Sequence, residues 1–401
     1  MGNADNMRKG GFAMAVSKKQ LRYEHYVLKG KLRHNGFERW RYSFVGVNKL
    51  TGEERSFFIE LYLINPSISP KNPVLSQTSK LALSNADLQY AMAGTDSAQT
   101  ASQERAVQPS YVLVKAGVFG GRGKQFNRFM PSAQLQWNKS ECEFRIGECT
   151  FGDEHLTGFI RVTERELRES PELLCSAGAI DWNLHFEKHI SSLPLYNKKN
   201  CLWIANGAKS VFAGVVHVDG EEYTVVPRKS SGYTDRQWGG LLSSPSFHIS
   251  SSNLTSLISG RPLQKSCFAI NGEYDGRLKL FVCHEGEVLQ VKDTFLDKLT
   301  EVHDCFEMPV DADGEKLHWT VSVHRKRLVI DVDVFCKTSE MFVRDYEAPE
   351  GQRKLLKVLG GGTGFGEIRI YKKVKKNLEL LEHAHVADAL CEYGTIDQIG
   401  K

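Results

Sequence analysis

Period-two alternation, carried by β-branched and aromatic residues and interrupted by Gly, Asn, Asp or Pro, is the feature that most restricts this chain. Arg41-Tyr42-Ser43-Phe44-Val45-Gly46-Val47 leads into a turn over 49–53. Arg55-Ser56-Phe57-Phe58-Ile59-Glu60-Leu61-Tyr62-Leu63-Ile64 answers it and stops at Asn65-Pro66. The pattern returns at 111–116, 134–137, 143–147, 156–163 and 179–186, and later at 265–270, 277–283, 288–291, 318–323, 328–335 and 366–371. Many short strands with almost no helical period between them predict an all-β chain of antiparallel sandwiches or barrels. A length of 401 residues exceeds what one core usually serves, so two β domains are expected. We place an N-terminal tail over 1–22, a first β domain over 23–205 and a second over 206–371. The first carries a polar insertion at 67–109, within which 79–92 has a helical pattern. Residues 372–401 read as a helix and tail: Leu378, Leu381 and Ala384 have helical spacing after a basic start, so this helix is expected to pack on or close a barrel.

Charge says little about partners. The net charge of +4 is too small to predict a nucleic-acid or membrane-surface partner. No apolar run approaches the roughly 20 residues of a membrane-spanning helix, and residues 1–20 lack a signal-type apolar core. The nine cysteines form no C-x-x-C pair, and no histidine cluster stands beside them at zinc spacing. Cys267, Cys283 and Cys336 lie inside apolar strand patterns, where a thiol behaves as a small hydrophobe. A cytoplasmic protein with reduced thiols, and neither metal nor cofactor, is the expectation.

The richest stretch spans 207–247. An apolar strand over 211–218 and a second over 222–226 flank Asp219-Gly220, a strong hairpin signal. A loop is expected next, ending in Gly232-Tyr233-Thr234-Asp235-Arg236-Gln237-Trp238-Gly239. A phenol, a carboxylate, a guanidinium and an indole within six residues read in two ways: a site facing a ligand, or aromatic anchors plugging one end of a core. Familiar catalytic motifs are missing. Gly360-Gly361-Gly362-Thr363-Gly364-Phe365-Gly366 precedes a strand instead of a helix and lacks the phosphate-loop lysine, so it reads as a glycine turn or bulge. Gly120-Gly121-Arg122-Gly123-Lys124 fails the same test, and there is neither a G-x-S-x-G elbow nor an H-E-x-x-H pair.

Taken together, several segments resemble the tocopherol cyclase family and the wider double-lipocalin group that includes carotenoid hydratases and Diels–Alderase-type cyclases. They are Phe144-Arg145-Ile146-Gly147 with Gly158-Phe159-Ile160, and Ala179-Ile180-Asp181-Trp182-Asn183-Leu184. The others are Gly232 to Gly239, the most specific, and Gly364-Phe365-Gly366-Glu367-Ile368-Arg369-Ile370-Tyr371. The chain departs from the pattern in its 67–109 insertion, in Asp235 where the family has Glu, in the run 241–245 and in having no plastid-type leader.

The resemblance implies two lipocalin-like barrels and a hydrophobic, isoprenoid-type ligand. It also implies cofactor-free chemistry: a carboxylic acid in an apolar pocket protonates an alkene, and a hydroxyl traps the cation. Asp235, with Tyr233 beside it, is then the candidate acid and Asp181 the second carboxylate. Trp182, Trp203, Trp238 and Trp319 would line the ligand and stabilise positive charge. Arg236, if it paired with Asp235, would lower that carboxyl's pKa and make the segment a clasp between domains. Two functions stay open: a cyclase, hydratase or isomerase, and a non-catalytic carrier of hydrophobic ligands.

Overall fold

The structure, a computed structural model, describes residues 28–75, 107–138, 143–170, 173–198, 201–228, 231–289, 300–325, 327–351, 354–375 and 377–398. Most of the 67–109 insertion, including 79–92, lies outside the described residues.

Two curled antiparallel sheets, one of thirteen strands and one of eleven, make up the molecule. The first contains β1 (Phe37–Asn48), β2 (Glu54–Ile64), β3 (Tyr111–Val118), β4 (Lys124–Met130), β5 (Gln136–Asn138) and β6 (Glu143–Ile146). It continues with β7 (Cys149–Phe151), β8 (His155–Val162), β9 (Gly178–Ile190), β10 (Tyr196–Lys198), β11 (Cys201–Val218), β12 (Glu221–Val225) and β13 (Gly232–Gly239). The second contains β14 (Ser246–Ser251), β15 (Asn253–Ser256), β16 (Cys267–Tyr274), β17 (Arg277–His284), β18 (Glu287–Leu289) and β19 (Thr300–Glu307). It ends with β20 (Lys316–Arg325), β21 (Leu328–Lys337), β22 (Phe342–Glu347), β23 (Lys354–Val374) and β24 (Asn377–Gln398). A short helix, α1 (Glu164–Glu169), follows β8 and carries a capping box from Thr163 to Glu166.

The expected all-β architecture of antiparallel sheets is what the chain forms. The sheets divide between Gly239 and Ser246, and the expected boundary at 205/206 falls inside the unbroken strand β11. In the first sheet β1, β13, β12 and β11 lie side by side, and the sheet curls until edge strand β4 reaches β8. Aromatic rings fill its interior: Phe44 stacks on Phe57 and Phe212, and Phe186 on Phe212. The second sheet curls likewise, with His303 of β19 held between Glu301 and Glu273 at 3.0 Å each. Asp219-Gly220 makes the predicted hairpin turn, both residues having positive φ (51° and 86°), as a type I′ turn requires.

Two expectations are overturned. The C-terminal helix is strand β24, hydrogen-bonded to β23 along one side and to β14 and β15 along the other. Ladder bonds on both edges outweigh a local helical pattern. Its buried residues Glu382, Ala384 and Val386 recur every second position, whereas Leu378 and Leu381 are exposed. The expected loop ending in Gly239 is strand β13, paired with β1 and β11, and every one of its residues is buried.

Candidate site at the seam between the barrels

Period two decides what β13 does. Tyr233, Asp235 and Gln237 point out of the first barrel, while Arg236 and Trp238 point into it. The second barrel packs over the outward face. An apolar part of this seam gathers Phe58, Phe119, Trp203, Tyr233, Tyr274 and Phe281, and a polar part lies against it.

Asp235 sits at the centre of the polar part. Arg41, its cross-strand neighbour on β1, grips it from both ends: Nε donates to Oδ1 at 3.1 Å and Nη2 to Oδ2. Oδ2 also accepts from Trp203 Nε1 at 3.0 Å and from Tyr233 OH at 2.9 Å. The same guanidinium crosses to the second barrel, where Nη1 donates to Glu392 Oε2 at 2.6 Å. Glu392 Oε1 accepts from Arg344 Nη1 at 3.0 Å, and Arg39 Nη1 lies 3.7 Å from Oε2. His248 of β14 stands beside Arg41, with Ser250 Oγ 2.9 Å from its Nε2 and Asn271 Oδ1 3.2 Å from its Nδ1.

Electrostatics follows from this packing. Burial alone would raise the Asp235 carboxyl's pKa, but the Arg41 guanidinium more than offsets it and holds the group below its ordinary value. Glu392 behaves in the same way, with burial opposed by Arg41, Arg39 and Arg344. Burial and then the Arg41 charge push His248 down to about 3, so its ring is neutral. Burial raises the Tyr233 phenol, and the Asp235 charge raises it further. At neutral pH the seam therefore holds ionised carboxylates clamped by guanidinium groups. The Arg41 pairing, which favours the ionised carboxylate, weighs against the expected role of Asp235 as an acid.

The other expected site residues are dispersed. Trp203 joins Asp235 and Tyr233. Arg236, expected as a possible partner of Asp235, points the other way, ion-paired to Glu38 with its guanidinium 3.9 Å from the Trp40 ring centre and 5.4 Å from that of Trp238. The cation-binding face of Trp238 is thus occupied by the protein's own arginine. Trp182 is buried in the first barrel, its indole nitrogen without a hydrogen-bond partner among the described residues. Asp181, the expected second carboxylate, points outwards, half-exposed and 2.8 Å from His217, and does not meet Asp235. Trp319 lies in the second core, donating to the Glu392 carbonyl at 3.3 Å. Sequence reasoning missed Arg39, Arg41, His248, Arg344 and Glu392. The signal for two of them was present: Arg39 and Arg41 alternate with Trp40 and Tyr42 along an otherwise buried strand.

An open cleft of about 310 Å³ reaches the seam from one edge, lined by Glu54, Arg55, Arg122, Glu340, Thr363 and Asp388, with Phe119 on its wall. Phe119 packs against Phe58 and Phe342, with ring centres 4.6 and 5.9 Å away. The Arg344 guanidinium lies 4.1 Å over Phe58 and 5.2 Å over Phe119. Phe119 thus lies on the cleft wall and also against the ionic cluster, with Phe58 packed behind it. Among the described residues several buried polar atoms at the seam lack a partner: Arg344 Nε and Nη2, Arg39 Nε and Glu60 Oε1. Among the same residues no group of His, Cys, Asp and Glu side chains is placed to hold a metal ion, and no helix is long and apolar enough to cross a membrane.

No protein-family model matches the chain, and no curated protein matches it. Among solved structures it is similar to kievitone hydratase from Nectria haematococca, at 11% identity over 92% of this chain and 94% of the other, with a TM-score of 0.36. It is also similar to a candidate AttH protein from Nitrosomonas europaea, at 8% identity over 88% and 91% of the two chains, with a TM-score of 0.34. The resemblance to the tocopherol cyclase family stays with the segments that carry it, and the family of this chain is open.

Proposed function

We propose that this protein is a carrier that holds a lipophilic small molecule with an oxygen-bearing head in the seam between its barrels. Asp235 is then part of the clasp that joins the barrels. The observation that carries this reading is the set of unpartnered donors, Arg344 Nε and Nη2 with Arg39 Nε, at the border of an aromatic cluster. An unpaired buried N–H costs about 1–3 kcal/mol. A carbonyl or carboxylate oxygen would complete these donors while the apolar body lay among Phe58, Phe119 and Trp203. Seams between domains are preferred places for small-molecule sites.

The alternative is acid-catalysed cyclisation or hydration, and Arg41 weighs against it. A carboxylate paired with a guanidinium and bonded by Trp203 and Tyr233 is a poor proton donor at neutral pH. The test is titration with a fluorescent fatty acid against the native protein and the Arg344→Met variant. Saturable uptake that weakens at least tenfold in the variant is expected. Equal uptake by both proteins, or none by the native protein, would overturn the seam as the site.

A further inference from the structure

The glycine-rich run 360–366 has a second meaning in the folded chain. Cys336 of β21 and Cys391 of β24 are both fully buried in the second core. Their strands are not neighbours, because β23 runs between them. On β23 the register shifts twice between Gly361 and Gly366, so the ladder is bulged where it passes the two sulfurs. A β-carbon at Gly361 would lie 2.8 Å from Cys336 Sγ, and one at Gly364 would lie 2.5 Å from Cys391 Sγ. Both sulfurs therefore occupy space that side chains of the intervening strand would otherwise fill. Each thiol bears on the other's ionisation: Cys391 lowers the pKa of Cys336, and Cys336 adds to the rise that burial gives Cys391.

The bulge also touches the cleft. Thr363 Oγ1 lies 3.7 Å from Cys336 Sγ and donates at 2.6 Å to Glu340 on the cleft wall, while Gly362 lies against Phe119. Cys305 of β19 is the other thiol that Cys391 senses, and it is partly buried against the same core.

We propose that Cys336 and Cys391 are a redox pair that closes to a disulfide behind the cleft when a peroxide-class oxidant reaches it. The Cys336 thiolate attacks one peroxide oxygen and breaks the O–O bond, giving a sulfenic acid and, after protonation, water. The Cys391 sulfur then attacks the sulfenic sulfur, and the hydroxyl group leaves as a second water. The two sulfurs together lose two electrons and hydrogen peroxide gains them. The protons of both thiols end in the two waters. The inference is independent of any ligand in the seam.

The experiment uses the folded full chain with a small excess of hydrogen peroxide, then alkylation in denaturant and non-reducing peptide mass mapping. The expected result is a linked peptide pair containing Cys336 and Cys391, lost on adding dithiothreitol and retained in Cys305→Ser. In Cys391→Ser the oxidation of Cys336 stops at a sulfenic acid that dimedone traps. Recovery of Cys336 and Cys391 as alkylated thiols while other cysteines oxidise would overturn the proposal. So would a Cys336–Cys305 link in its place.

Discussion

Replacing Asp235 by Asn separates an ionised clasp from a neutral acid. The amide keeps the shape of the carboxyl but cannot accept at both ends. If its oxygen stands at the Oδ2 position, where Arg41, Trp203 and Tyr233 converge, its NH₂ group faces the Arg41 Nε–H, donor against donor. The opposite orientation turns the NH₂ group towards all of those donors. Arg41 would retain Glu392 as a partner, so the loss falls within the range for removing one member of a buried pair, about 3–5 kcal/mol. With about 2.1 cal/mol/K of unfolding entropy per residue, a chain of 401 residues unfolding as one unit would lose roughly 4–6 °C of Tm.

The assay is calorimetry at neutral pH, with denaturant midpoints as a check. The pH dependence carries a sign. Asp235 is depressed in the folded state, so its stabilisation is present above the unfolded pKa of about 4 and fades as pH falls through the lower folded value. The gap between native and variant proteins is therefore expected to narrow in acid. If Asp235 were a protonated acid, Asn would be a near-isosteric neutral replacement. A loss under about 1 kcal/mol that did not change with pH would refute the clasp.

Further outcomes follow from other parts of the molecule. His303, raised to about 8 first by its hydrogen bond to Glu301 and then by Glu273, stabilises the second barrel fully below the ordinary value of 6.5. That stability is lost as pH rises through about 8, so His303→Gln should flatten the dependence of thermal unfolding over that window. Gly158→Ala forces a β-carbon into the Trp182 indole and should cost about 1–3 kcal/mol in denaturant unfolding, with quenched or shifted tryptophan emission. Val386→Pro removes a backbone donor from a strand paired on both sides. Loss of cooperative unfolding is expected, whereas a merely loosened surface helix would leave the barrel transition intact.

Architecture was legible because alternation survives in almost every strand, and the Asp219-Gly220 turn announced itself through residues that tolerate positive φ. The glycines at 360–366, expected as a turn or bulge ahead of a strand, are a bulged stretch inside the continuous strand β23. The 377–398 segment misled because Leu378, Leu381 and Ala384 happen to fall at helical spacing on a strand whose outer half is exposed. Its partners on both edges are far away in sequence and leave no local trace.

At the site, Tyr233 and Asp235 were visible as an unusual local concentration of functional groups, but their partners were not. Sequence adjacency suggested Arg236 as the cation beside Asp235. Strand geometry sends neighbours to opposite faces, so the partner is Arg41, opposite on β1. Arg39 and Arg41 were passed over, since a polar face against water and a polar face under a second barrel have the same pattern. Asp181 and Trp182 were singled out together, yet alternation turns one outwards and the other into the core.

The most direct test of the seam as a ligand site is native mass spectrometry of the full chain purified from a lipid-rich host, with extraction of what it carries. The account predicts a mass increment from a lipophilic molecule with a carbonyl or carboxylate group, reduced in Arg344→Met and retained in Trp182→Phe. A bare native mass, together with no uptake of a hydrophobic fluorescent probe, would contradict it and leave the seam as a joint between barrels.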